Sequence, residues 1–358
     1  MYKLFSINIH FNDIKKFFLK KTKDKNKIIK RRILGISFSY VRAKEYIHFA
    51  QILEFIKPYI DEDISELINR YYKMSKLWRI SSRQYRKDMD IVKNYIDKVN
   101  PSNIAPATGE LRKKQLAELQ YTKELLNEIE QNTGLKPFMD DGTLLGAVRH
   151  GGFIPWDDDV DFSLMRQDYN KLREYMAQNH IIIDTSNWTG KTYNQRLKEC
   201  FEKYPNQIFC IRRPTSFKCY KGTFKDHFCV DFFALDYYKE GHTAVSLQTY
   251  VDRIKQKVGN TKVYGEILKI YDEEINNKIE ITDDSNTISV GVDNFDFYNY
   301  SIKGIRRKSD VFPLVKMKFE DTEFWAPNNS DQYLKTIYNF YQKIPVNVDV
   351  NKHFIKEK

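Results

Sequence analysis

The chain has 358 residues, 41% apolar and 15% aromatic, with a formal net charge of +11. That length allows two domains, or one large domain with an appendage, and the apolar content excludes wholesale disorder. No apolar run approaches the ~20 residues that span a bilayer, and the opening "MYKLFSINIHFNDIKK" is charged too early for a secretory signal, so the expected compartment is cytoplasmic.

The charge is uneven. Residues 1–45 carry thirteen Lys and Arg against Asp13, Asp24 and Glu45, a net +10, which leaves the rest of the chain at +1. A basic end on a near-neutral body points to a local electrostatic contact and argues against a nucleic-acid-binding protein. Two strand-like apolar pieces, "YKLFSINIHF" and "ILGISFSYV", flank a lysine-rich stretch holding Phe17, Phe18 and Leu19. That mixture suits the anionic inner face of the plasma membrane, where each basic residue adds about 1 kcal/mol and aromatic rings enter the interface. A solvated tail is the plainer alternative, and a nucleic-acid arm would lack any recognised motif.

Helical spacing follows in "EYIHFAQILEFIKPYI" and "ISELINRYYKMSKLW", punctuated by Pro58, and residues 99–109, "VNPSNIAPATG", read as a linker. A long amphipathic helix is predicted over 110–131, with Leu111, Leu116, Leu119, Leu125, Leu126 and Ile129 as its apolar stripe and Gly134 past its end. After residue 205 the chain turns strand-like in "NQIFCIRRP", "FKCYKG" and "HFCVDFFAL", and "DQYLKTIYNFYQ" again reads as helix. The expected organisation is a basic membrane-proximal segment (1–45), a helical region with linker (46–105) and a catalytic domain (106–358). Cys200, Cys210, Cys219 and Cys229 lack the close pairs of a zinc site, so they read as free thiols in adjacent strands, with a metal site as the alternative.

The chemistry concentrates in "GGFIPWDDDVDFSLM", residues 151–165, where Asp157, Asp158, Asp159 and Asp161 crowd five positions. On a strand, Asp159 and Asp161 share one face about 7 Å apart while Val160 and Phe162 enter a core; if the extended geometry starts earlier, Asp157 joins that face and Asp158 points away. Converging carboxylates are hard oxygen ligands suited to Mg²⁺ or Mn²⁺, which would relieve their repulsion and polarise a phosphate oxygen. A calcium-loop reading fails, because Phe162 stands where glycine is needed and Asp168 where a glutamate is expected. A solvated acidic turn remains as the structural alternative. Upstream, Gly142 and Thr143 in "DDGTLLGAVRHGG" precede a helix whose free N–H groups suit phosphate. Downstream, Asp231 is a lone charge in the apolar "CVDFFALD" and needs a partner or a metal; it is either a third carboxylate or a strand-end aspartate bonded to a backbone N–H.

Glycine followed by paired acids resembles the nucleotidyltransferase superfamily of polymerase-β type. The longer block "DDGTLLGAVRHGGFIPWDDDVDFSLMRQDYNKL" resembles the signature of the LicD family, which includes bacterial phosphocholine transferases and relatives of fukutin. The likeness continues through "VDFFALD" and "FPLVKMKFEDTEFWAPNNSDQYLKTIY" and covers roughly residues 106–345. It departs at Asp141, where a small residue or glycine is usual, and in the Phe-Ala of "VDFFALD".

The resemblance implies an α+β fold: a polymerase-β-type core, a mixed sheet flanked by helices, with a basic and helical N-terminal appendage. It implies transfer of a phospho-alcohol, foremost phosphocholine from CDP-choline, to a sugar hydroxyl of a bacterial surface polysaccharide whose acceptor is lipid-linked. Asp159 and Asp161 would hold Mg²⁺ or Mn²⁺ with Asp157 nearby, and Asp231 would be a further ligand or the base. Gly142, Thr143 and Arg149 would contact phosphate, with Arg212 and Arg213 as weaker candidates. His150 reads as structural and Trp156 as packed beside Pro155, the alternatives being a phosphate donor and a choline contact. A peripheral site on the inner membrane face fits the basic segment, which also loosely resembles the N-terminal piece of some bacterial polysaccharide glycosyltransferases. Competing readings keep the fold but use CDP-ethanolamine, CDP-ribitol or CDP-glycerol, or act on RNA or an antibiotic, or dock to membranes without catalysis.

Overall fold

The computed structural model describes residues 90–294, 304–338 and 340–344 and, before them, Leu53 and the segments 20–23, 29–33, 36–41, 55–60, 62–77 and 80–81. The chain divides into two compact units, Met1–Pro101 with Lys343–Lys358, and Ser102–Gln342.

In the first unit, β1 (Lys20–Lys23), β2 (Ile29–Ile33), β3 (Ile36–Val41) and β4 (Ile80–Ser81) pair antiparallel in that order. Part of the lysine-rich stretch is therefore strand, with Lys20 opposite Arg32 and Lys23 opposite Ile29. The expected strand over "ILGISFSYV" is β3, whereas "YKLFSINIHF" and residues Phe17 to Leu19 lie outside the described residues. Helix α1 (Glu62–Leu77) buries Ile64 and Ile68, four residues apart on one face. Among the described residues no helix is long and apolar enough to cross a membrane.

The second unit opens with α2 (Gly109–Thr133), which ends where Gly134 adopts φ 70° and donates its N–H to the Glu130 carbonyl. Next come β5 (Phe138–Met139), α3 (Asp141–His150), β6 (Val160–Met165) and α4 (Arg166–Asn179). They are followed by β7 (Ile181–Ile183), α5 (Tyr193–Lys203), β8 (Phe209–Arg212), β9 (Phe217–Gly222) and the twelve-residue β10 (His227–Tyr238). Helices α6 (Ala244–Val258) and α7 (Tyr264–Asn276) precede β11 (Ile281–Thr282), β12 (Thr287–Val290) and β13 (Arg306–Arg307). A hairpin of β14 (Val315–Phe319) and β15 (Thr322–Ala326) leads into α8 (Ser330–Tyr338).

These strands form one sheet of order β14-β15-β5-β6-β10-β9-β8-β7, with β11 and β12 paired to β10 and β13 to β12. It is mixed: β6–β10, β15–β5 and β7–β8 are parallel, and the remaining pairs are antiparallel. Helices flank it, α4 against β6 and β10, and α2 against β10. The mixed, helix-flanked sheet is thus the expected architecture.

Alternation in β6 falls as the pattern requires, with Val160 and Phe162 fully buried and Phe162 edge-on to Phe324 at 5.4 Å. The stripe predicted for α2 is only partly right. Leu119, Leu125, Leu126 and Ile129 are buried, but Leu116 is 46% exposed, and the polar Gln115, Glu118 and Thr122 are buried instead. Within the expected linker Ile104 and Ala107 are buried, and the boundary between the two units, Pro101 to Ser102, falls inside it. The cysteines are free; Cys210, Cys219 and Cys229 lie on adjacent strands as expected, while Cys200 sits on α5.

Where β6 meets α4, Arg166 donates through Nε to Asp236 Oδ1 at 2.7 Å and through a terminal nitrogen to Asp236 Oδ2 at 2.9 Å and Asp293 Oδ1 at 2.6 Å. Asp236 and Asp293 are both essentially inaccessible, and Asp236 also accepts the Val292 N–H at 2.9 Å. Removing the guanidinium would leave two buried carboxylates under-compensated, a loss of about 3–5 kcal/mol for such pairs. Arg166→Ala is expected to lower the unfolding free energy by that order in chemical denaturation followed by circular dichroism.

Candidate functional site

The sequence "DDGT" begins α3 and is fastened to β6 from both sides. Asp140 caps the helix by accepting the Asp141 N–H at 2.7 Å, and Ser163 donates its hydroxyl to the other Asp140 oxygen at 2.5 Å. The Asp140 N–H donates to the Asp161 carbonyl at 3.0 Å, and the Asp161 N–H donates to Thr143 Oγ1 at 2.8 Å. The first turn of α3 is thereby held over the start of β6. Asp141 has φ 36°, a left-handed backbone that L side chains adopt with strain. That gives a physical reason for the glycine or small residue usual at this position.

Gly142 is needed for close approach. A Cβ there would stand 3.0 Å from Asp157 Oδ2 and 3.4 Å from Asp161 Oδ2, so two carboxylate oxygens crowd the space beside the helix start. The Gly142 N–H itself donates to Asp161 Oδ2 at 3.3 Å. Burial, and then the Asp159 charge, push the Asp157 carboxyl well above the ordinary range. Burial and Asp159 do the same to Asp161, while burial raises Asp159, partly offset by its hydrogen bond with Asp157. Three carboxyls with this tendency are short of positive charge.

Strand register supplies the rest. Asp161 on β6 stands opposite Asp231 on β10, and Asp231 stands opposite Lys218 on β9, so the three side chains lie on one sheet face in a row. Lys218 donates to Asp231 Oδ2, and the Cys229 thiol lies 3.4 Å from Oδ1. Burial works against the Lys218 ammonium, but the Asp231 carboxylate more than offsets it and holds its pKa above the ordinary lysine value. The need for a partner at Asp231 is thus met by a residue that sequence reasoning missed.

Other missed residues build the support. From α2, Gln115 donates to the Asp157 carbonyl at 2.7 Å and the Ile154 carbonyl at 3.3 Å, Glu118 accepts the Cys229 N–H at 2.9 Å, and Lys114 pairs with Asp158. These contacts explain the buried polar side of α2. Asp158, turned from its neighbours as alternation requires, is a structural anchor. At the β14–β15 turn, Glu320 takes a two-bond contact from Arg112 at 2.8 and 2.7 Å and accepts the Phe153 N–H at 3.1 Å. This turn is the Phe-Glu element of the late sequence block.

Asp157, Asp159, Asp161, Asp231, Gly142 and Thr143 come together; two expected phosphate contacts do not join them. Arg149 is buried and donates to the Tyr341 carbonyl at 3.1 Å and to His150 Nε2 at 2.9 Å, with Asp157 within electrostatic reach. Burial lowers its pKa to about 10, and burial with the Arg149 charge lowers that of His150 to about 3, so His150 is a neutral acceptor. Arg212 lies one step beyond the Lys218 row and on the opposite face, where it pairs with Asp272 at 2.8 Å and Asp293 at 3.6 Å. The phosphate role expected of Arg212 does not fit that position. Arg213 returns to the Asp231 side, over the Tyr193 ring at 4.4 Å. Trp156 is buried beside His150, ring centroids 6.3 Å apart, so packing is its role.

Among the described residues, no three His, Cys, Asp or Glu side chains are gathered as a finished metal cage. The donor set nevertheless fits a hard divalent ion: only carboxylate oxygens, Asp157 and Asp161 already facing one point beside Gly142, all raised in pKa for want of a cation.

A helix start clasped to an acid-bearing strand, with another acid on the neighbouring parallel strand, defines a nucleotidyltransferase-type domain. Residues 134–265 match the family described as LicD/FKTN/FKRP, nucleotidyltransferase domain. It is 24% identical over 237 residues to the lipopolysaccharide cholinephosphotransferase LicD of Haemophilus influenzae, covering 60% of this chain and 85% of that protein. It is 31% identical over 158 residues to an uncharacterized protein of Rickettsia prowazekii, covering 43% of this chain and about half, 51%, of that relative. Over 59 residues it is 38% identical to the human ribitol 5-phosphate transferase FKRP, covering 16% of this chain and 12% of that protein.

Because Asp161 is raised in the fold, its contribution to stability is fully present below the ordinary carboxylate pKa and is lost as pH rises through the raised value. In EDTA at about pH 8, Asp161→Asn is therefore expected to melt at a higher temperature than the parent, the gap closing toward about pH 4. Thermal melts across pH check this.

Proposed function

We propose that this chain is a divalent-cation-dependent transferase that moves a phospho-alcohol, foremost phosphocholine from CDP-choline, to a sugar hydroxyl of a surface glycan. The observation that carries this reading is the crowding of Asp157, Asp159 and Asp161 against the start of α3 within a LicD-family domain. Choline is favoured over ribitol because the cholinephosphotransferase relative is matched over most of its length. The helix start, acid strand and neighbouring acid also support a core of polymerase-β type.

In this reading Asp157, Asp159 and Asp161 hold Mg²⁺ or Mn²⁺. The bound ion would neutralise the donor diphosphate and polarise the phosphorus under attack. The start of α3 faces the donor's phosphate oxygens, and the Gly142 N–H, bonded to Asp161 Oδ2 in the free protein, turns to them with no Cβ at Gly142 in the way. Asp231, fixed by Lys218, orients the acceptor hydroxyl and takes its proton as CMP departs on the opposite side of the phosphorus. Positioning and charge neutralisation supply most of the rate.

The test is CMP release from a panel of CDP-alcohols with Mg²⁺. Asp159→Ala is expected to reduce release by on the order of 10³-fold, whereas Asp158→Ala, which severs only the contact to Lys114, stays within about tenfold. Equal losses would count against the assignment, and turnover of ATP or another nucleoside triphosphate alone would move the substrate to a different class. The +10 charge of residues 1–45 supports action at an anionic membrane surface on a lipid-linked acceptor. Sedimentation with anionic vesicles but not with neutral phosphatidylcholine ones is the expected result, and removing residues 1–45 should abolish it.

A further inference from the structure

Lys218 stands in the acid row as a positive charge built into the protein. It comes from β9, lies opposite Asp231 on β10, and Asp231 in turn lies opposite Asp161 on β6. Its side chain is 14% accessible and that of Asp231 is 9% accessible, so the pair is withdrawn from water. The ammonium bonds Asp231 Oδ2, while Oδ1 has the Cys229 thiol at 3.4 Å, so both oxygens of Asp231 are engaged. Lys218 also acts electrostatically on Asp159, the neighbouring acid.

Two-metal phosphoryl-transfer sites place their ions about 3.5–4 Å apart, and both ions share carboxylates. Here the carboxylate left to complete a second ion's shell is Asp231, and a lysine already holds it. A second divalent ion would have to displace a buried ammonium, which leaves an uncompensated charge in the sheet.

We infer that Lys218 takes the place of a second metal ion, so that the site binds a single divalent ion on Asp157, Asp159 and Asp161, with Asp231 outside its coordination shell. The inference rests on the metal-dependent reading of the acid row given above. Lys218 is a positioning residue in this scheme: it fixes the carboxylate that faces the acceptor and sets the number of ions.

The decisive measurement is Mn²⁺ binding to the full chain by isothermal titration calorimetry, with free Mn²⁺ counted independently by electron paramagnetic resonance. The parent protein is expected to bind one Mn²⁺ per chain, with Asp159→Asn weakening that binding at least tenfold. Lys218→Met frees Asp231 and is expected to raise the stoichiometry to two. Because Lys218→Met leaves a buried charge and is prone to misfold, the double variant Lys218→Met/Asp231→Asn removes both charges together. It is expected to bind one Mn²⁺ with affinity within about threefold of the parent. Two ions in the parent, no second ion in a folded Lys218→Met, or loss of binding in the double variant would each overturn the inference while leaving the metal-dependent transferase standing. No Mn²⁺ in the parent at millimolar concentration would instead overturn that underlying reading, and the inference with it.

Discussion

The parallel pairing of β6 with β10 sets Asp161 directly opposite Asp231, and the antiparallel pairing of β10 with β9 sets Asp231 opposite Lys218. Like charges directly across a ladder destabilise a sheet, and burial magnifies the effect. The polar side of α2, the cap at Asp140 and the Arg112–Glu320 contact follow from it, because each secures backbone that would otherwise move to let the acids separate.

The two ends of β6 make the contrast plain. At the far end, the buried carboxylates Asp236 and Asp293 are matched by Arg166, and Asp293 is held below its usual pKa, to about 2, by that guanidinium working against burial. At the near end, Lys218 acts on Asp159 and Arg149 lies within reach of Asp157, yet burial and mutual repulsion still drive the pKa values of Asp157, Asp159 and Asp161 upward. Both clusters are acidic and lie at the two ends of β6. One is closed electrostatically by the protein and serves as structure; the other is left open, the pattern of a site completed by a ligand.

Local patterns in the sequence were enough for α2, for the alternation of β6 and for the isolation of Asp231, because each depends on residues a few positions apart. The partners of those residues were not legible. Lys218 reads as an ordinary lysine in "FKCYKG" until the register brings it opposite Asp231, and Gln115 and Glu118 look solvent-facing until β10 and the acid loop pack on α2. Arg212 and Arg213 are adjacent in sequence and were grouped for that reason, yet strand alternation sends them to opposite faces. Trp156 offered an aromatic surface for a choline head group, and burial against His150 removes it from that role. The backbone cost of having Asp141 where glycine would be unstrained was visible only with the φ angle in hand.

The open acid cluster also constrains the order in which ligands arrive under the proposed function. A diphosphate approaching Asp157, Asp159 and Asp161 alone meets negative charge, and Lys218 is turned toward Asp231 and offers it little. A divalent ion alone would meet carboxylates whose charged form burial disfavours. Each ligand would favour binding of the other, since a bound ion would offset the charge of Asp157, Asp159 and Asp161 and a diphosphate would offer it further oxygens. Linkage of this kind makes donor affinity depend on the ion and ion affinity on the donor by the same factor.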